Sequence, residues 1–123
     1  MELLLEQLLP IKLTNSNDGQ GKSWFKTHAN RKKFERLLRY KKLVRKPFRF
    51  PVRLVVTRIL GPREQKWDYS SIGRGSYKQL EDSLVACGWF TDDGPKYIKH
   101  VDFEQDDSQR KNGPQVLIQV YSV

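Results

Sequence analysis

The sequence predicts an α+β fold: a single mixed sheet with two helices, in the order β-α-β-α-β-β. Three observations lead there. Val52 to Leu60 (VRLVVTRIL) is β-branched and apolar enough for a central strand. Ser76 to Gly88 reads as a capped amphipathic helix. Tyr97 to Phe103 and Val116 to Tyr121 alternate as strands on either side of the turn signal Asn112-Gly113-Pro114.

The elements follow in order. Leu3 to Leu13 is apolar and runs into the turn-forming stretch Thr14 to Gly21, so it reads as a strand. Leu4, Leu5, Leu8 and Leu9 would also fit a helical stripe. Thr27 suits a helix cap, with Phe34, Leu37 and Leu38 at helical spacing behind it. Pro47 and Pro51 close this first helix, and Gly61-Pro62 ends the strand that follows. In the second helix Ser76-Tyr-Lys-Gln79 matches a capping box. Tyr77, Leu80, Leu84 and Val85 form its buried stripe, and Gly88 is a natural stop. Lys78 and Asp82, one turn apart, suit a surface ion pair.

A chain of 123 residues with no repeat and no long linker fits one domain, residues 1–123, with enough mass for a core without disulfides. The single cysteine, Cys87, excludes an intramolecular disulfide and a cysteine-based metal cage, and its place in an apolar pattern suits a small buried side chain. The run from Met1 to Pro10 is too short and too charged for a membrane span, and it lacks the basic start of a signal peptide. These features point to an intracellular, cytoplasmic protein without a membrane partner.

The net charge of +9 is uneven. Lys22 to Arg53 holds 13 Lys and Arg against one acid, Glu35, whereas ten of the 14 acids fall between Glu64 and Asp107. Arg31, Lys32, Arg36, Arg39 and Lys42 decorate the first helix, either as an ordinary solvated face or as a phosphate-binding one. A basic third beside a carboxylate-rich remainder is the electrostatic plan of a metal-dependent nuclease, one part holding the phosphodiester backbone and the other the ion. Trp24-Phe25, between Lys22 and Lys26, suits stacking on unpaired bases or packing of a loop onto the domain. Trp89-Phe90 suits the core or a subunit contact. His28 and His100 have no partner at metal-ligand spacing and read as ordinary histidines.

The segment Lys66 to Asp93 carries most of the chemistry. Asp68 precedes the second helix, Lys78 lies in its first turn, and Asp92-Asp93 follows its end. Carboxylates converging in a basic protein suit a hard metal ion acting on phosphate.

These residues resemble the RusA family of Holliday junction resolvases, the crossover-junction endodeoxyribonucleases of bacteria and their phages. The likeness begins at Leu9-Pro10 and Asn15 and spans nearly the whole chain. It is most specific in Lys78-Gln-Leu-Glu-Asp82-Ser-Leu84, Gly88 and Asp92-Asp93. Asp68-Tyr-Ser-Ser71 stands where the family has D-x-D-N, and Gly73 and Gly75 resemble the glycine-bearing phage variant. The resemblance implies a single RusA-like nuclease domain, acting as a magnesium-dependent homodimer that nicks four-way DNA junctions in recombination and repair, with manganese as a substitute ion. It implies Asp68, Lys78 and Asp93 as catalytic residues and Asp68, Asp92 and Asp93 as metal ligands. Ser70 would orient a metal-bound water, and Arg74 would join Arg31, Lys32, Arg36, Arg39 and Lys42 in binding DNA. Two alternatives stand beside it: a relative that binds branched DNA without cleaving it, and an unrelated basic domain that binds RNA or single strands.

Overall fold

The computed structural model describes residues 2–13, 24–41, 44–67, 77–92 and 94–123, the side chains of 24–28, 30 and 41 excepted. Among the described residues, four strands form one mixed sheet and two α-helices lie against it, with the element order and α+β class that the sequence predicts. The strands are β1 (Leu3–Leu9), β2 (Val52–Ile59), β3 (Ile98–Asp106) and β4 (Gln115–Ser122), and the helices are α1 (Trp24–Lys41) and α2 (Tyr77–Ala86). The sheet order is β1-β4-β2-β3. β4 pairs antiparallel with both β1 and β2, while β2 and β3 run parallel.

Alternation fixes which side chains meet the helices. In β2, Leu54 and Val56 point to the same face as Val116, Ile118 and Val120 of β4, and all five are buried. Phe34 and Leu38 of α1 and Leu80 and Leu84 of α2 join them in one core, as do Leu9, Leu13, Trp89 and Phe90. Tyr77 meets Phe103 of β3 edge to face, with ring centroids 4.9 Å apart. The opposite face, with Val55, Thr57 and Leu117, is only half-buried. There Arg53 and Asp102 form an ion pair at 3.1 Å.

Several boundaries differ from expectation. β1 stops at Leu9, because Pro10 has no N–H to offer the ladder. The leucines of β1 form a strand and not a helical stripe, since the backbone of Leu5 to Leu9 is taken up by pairing with β4. α1 starts at Trp24, so Thr27 lies inside the helix and is not its cap, and Trp24-Phe25 opens a helix and not a loop. Ser76, the expected cap of α2, lies outside the described residues. Ser83 replaces Val85 on the buried stripe, Val85 being half-buried.

The end of α2 is a Schellman motif. The Trp89 N–H donates to the Leu84 carbonyl at 2.9 Å and the Gly88 N–H to that of Val85 at 3.0 Å. Gly88 has φ of 84°, the left-handed conformation that makes glycine the natural stop. Buried Leu84 and Trp89 supply the apolar contact that accompanies such a turn.

Small side chains let the helices approach. Ser83 Oγ donates to the Gln79 carbonyl at 2.7 Å and to the Arg31 carbonyl of α1 at 3.3 Å, and Cys87 Sγ faces the Glu35 carbonyl at 3.8 Å. Serine and cysteine one turn apart thus meet carbonyls one turn apart. Ser83→Leu should therefore overpack this seam and lower stability by about 1–3 kcal/mol in urea unfolding. An unchanged midpoint would show that the seam has room to spare.

Candidate functional site

Arg58, on the helix-facing side of β2 with Leu54 and Val56, is the buried charge of the sheet, at 2% exposure. Its guanidinium donates to the Gln65 carbonyl at 2.9 Å and to Gln105 Oε1 at 3.2 Å, and pairs with Glu64 at 3.2 Å. It also lies over the Trp67 ring, 3.5 Å from the centroid. Burial pulls the Arg58 pKa down and Glu64 opposes the shift, while an arginine still keeps its proton at neutral pH. Gln105 of β3 then grips the Trp67 backbone at both ends, accepting from its N–H at 2.8 Å and donating to its carbonyl at 2.7 Å. Glu64 accepts from the Gly61 N–H at 2.7 Å, and Arg110 donates to the Gly61 carbonyl at 2.9 Å. The loop from Gly61 to Trp67 is therefore tied down by two arginines, a glutamate and a glutamine, up to the residue before Asp68.

Asp68, Ser70, Arg74, Asp93 and Lys42 lie outside the described residues. Lys78, Asp92, Arg31, Lys32, Arg36 and Arg39 are described. Asp92 follows the Schellman turn and caps the next bend, its Oδ1 accepting from the Gly94 N–H at 2.7 Å. Its neighbours come from both helices: Arg31 of α1 and Asp82, Val85 and Ala86 of α2 line with it a shallow cleft of about 360 Å³. Lys78 pairs with Asp82 at 3.2 Å, the ion pair expected from their spacing, and with Glu81 at 3.3 Å. The middle of the basic helix, the C-terminal half of the second helix and Asp92 beyond it thus share a single surface.

Among the described residues, the four side chains of α1 expected to bind DNA, Arg31, Lys32, Arg36 and Arg39, differ in their partners. Arg31 pairs with Glu35 at 3.2 Å, and Arg39 reaches the same carboxylate at 4.0 Å. Lys32 and Arg36 are exposed and line a second groove with Glu35, Arg39 and Tyr40. Beyond the same helix, Cys87 is half-buried and not fully enclosed as expected. It lines a pocket with Arg39 and Trp89, where burial pushes its thiol pKa up and Arg39 partly opposes this.

Asp102 lies across the sheet from the Asp92 cleft. Its β2 partner in register is Val55, on the half-buried face, so it belongs with Arg53 and not with Asp92. His100 is exposed on β3. Trp89 and Phe90 are core residues, each at 1% exposure, which excludes them from ligand surface. Among the described residues no three His, Cys, Asp or Glu side chains gather in a metal-holding group, and no helix is long and apolar enough to cross a membrane. Sequence reasoning missed Arg58 and its partners, although strand alternation already puts Arg58 on the face of Leu54 and Val56. No protein-family model matches the chain, and no curated protein matches it significantly.

Proposed function

We propose that this protein is a magnesium-dependent, structure-selective DNA endonuclease that acts as a homodimer on four-way junctions in recombination and repair. One observation carries the reading: Arg31 of the basic helix shares a cleft with Asp82 of the second helix and with Asp92, which lies beyond that helix's end. A phosphodiester backbone lying along α1 would run into carboxylates there. The likeness of Lys78 to Leu84 and of Asp92-Asp93 to the resolvase motif supports the same reading, and it alone supports the homodimer. The donors are hard carboxylate oxygens, the type that magnesium takes. Asp68, Asp92 and Asp93 would hold the ion, with Ser70 orienting a bound water. The ion would polarise the scissile phosphate and acidify that water. Lys78 would offset charge that builds on the phosphate, and Arg31, Lys32, Arg36, Arg39, Lys42 and Arg74 would bind the strands.

A second reading, binding of branched DNA without cleavage, is favoured by Asp68-Tyr-Ser-Ser71, which brings one carboxylate where the resolvase pattern brings two. One assay separates them: a synthetic four-way junction and a matched linear duplex, each with and without magnesium, beside Asp92→Asn and Asp93→Asn. Paired nicks on the junction are expected, reduced in Asp93→Asn by more than about 100-fold, the upper end of what outer-shell partners of a metal contribute. Tight junction binding without nicks, even with manganese, would establish the second reading. Binding to neither DNA would sink both.

A further inference from the structure

Lys32, Arg36 and Tyr40 stand at i, i+4 and i+8 on α1 and so form one line along the helix, about 12 Å from first to last at 1.5 Å per residue. All three are exposed, and Tyr40 is exposed to 87%, by far the most open of the large apolar side chains among the described residues. It borders a groove with Lys32, Glu35, Arg36 and Arg39. The acid in that groove, Glu35, already faces Arg31 and Arg39, so the surface around the phenol remains positive. An aromatic ring held in water within a cationic stripe is the arrangement that accepts a nucleobase face while its neighbours hold the adjoining phosphates.

We propose that Tyr40 is a stacking platform for an unpaired DNA base, with Lys32 and Arg36 on the flanking backbone. This rests on the DNA-binding part of the reading above and does not need cleavage. Duplex bases are already stacked and offer only their edges, whereas a base at a strand branch or in a single strand offers its face. Tyr40 therefore selects unpaired nucleotides, while the bases of α1 bind any backbone.

The test is a titration of wild type, Tyr40→Ala, Tyr40→Phe and the double variant Lys32→Glu/Arg36→Glu with two probes. One is a single-stranded oligonucleotide carrying 2-aminopurine, and the other is a linear duplex. Tyr40→Ala should weaken single-strand binding by about 5- to 100-fold, the range for one base–aromatic stack, and leave duplex binding within about twofold. Tyr40→Phe, which keeps the ring, should behave as wild type, and the double variant should lose both probes. If Tyr40→Ala binds the single strand as wild type does while the double variant fails, the stacking inference falls and the DNA-binding reading stands. If wild type binds neither probe at low salt, both fall.

Discussion

Arg58→Ala is expected to lower folding stability by about 3–5 kcal/mol, the cost of breaking a buried ion pair from one side. The arginine is all but sealed from solvent, so its charge is tolerated only because Glu64, Gln65, Gln105 and the Trp67 ring surround it. Truncation deprives the Gln65 carbonyl and Gln105 Oε1 of a donor and leaves the Glu64 carboxylate without its nearest cation, Lys12 being 3.9 Å away and exposed. Arg58→Lys should recover only part of the loss, because an ammonium lacks the planar fork that reaches three acceptors while stacking on an indole. Urea unfolding measures both variants. A loss below about 1 kcal/mol for alanine would place Arg58 among weak surface pairs and refute the account of this loop.

Trp89→Ala should cost a similar amount, about 3–5 kcal/mol, as large aromatic truncations in a core do. Trp89 is buried at 1% and holds three connections at once. Its N–H closes the Schellman turn on Leu84 and its carbonyl accepts from the Phe48 N–H at 2.9 Å; alanine keeps both backbone groups but removes the ring whose burial in the core holds them in place. The loss should reach Asp92, three residues further on, so on the proposed DNA-binding reading junction affinity measured below the new unfolding midpoint should fall as well. Trp89→Phe, which keeps an aromatic ring in the core, should lose less on both measures. Equal losses for the two variants would mean that the ring's size has no part in holding the turn.

Much of this architecture was legible because the core is written in simple periods. Leu54 and Val56 alternate with half-buried neighbours, Tyr77, Leu80 and Leu84 recur at helical spacing, and Gly88 ends the helix where a left-handed residue is needed. The sheet order was not legible, since nothing local in Gln115 to Ser122 says that it enters between β1 and β2. The site was legible only as a set of residue types. Asp92 and Lys78 stood out as charges around a helix, but their setting depends on Ser83 and Cys87, whose small volume brings α1 close enough for Arg31 to face Asp82 and Asp92. That closeness is a property of two helices, and the sequence of either one does not contain it. Thr27 misled for a related reason: a good capping residue is tolerated inside a helix.

The central place of β4 bears on the order in which the fold can assemble. Leu3 pairs with Tyr121 and Arg53 with the same Tyr121 from the other side, so two of the three strand pairings join segments far apart in the chain. Only β2 and β3 can associate earlier, and theirs is a parallel pairing that must close a loop containing α2. During synthesis the β1 leucines therefore have no sheet partner until β4 emerges. Non-local closure of this kind slows folding and lengthens the time for which an apolar strand stays unpaired. Cooperativity is the return: with β4 bound on both sides, β1 cannot join the β2–β3 pair without the strand made last.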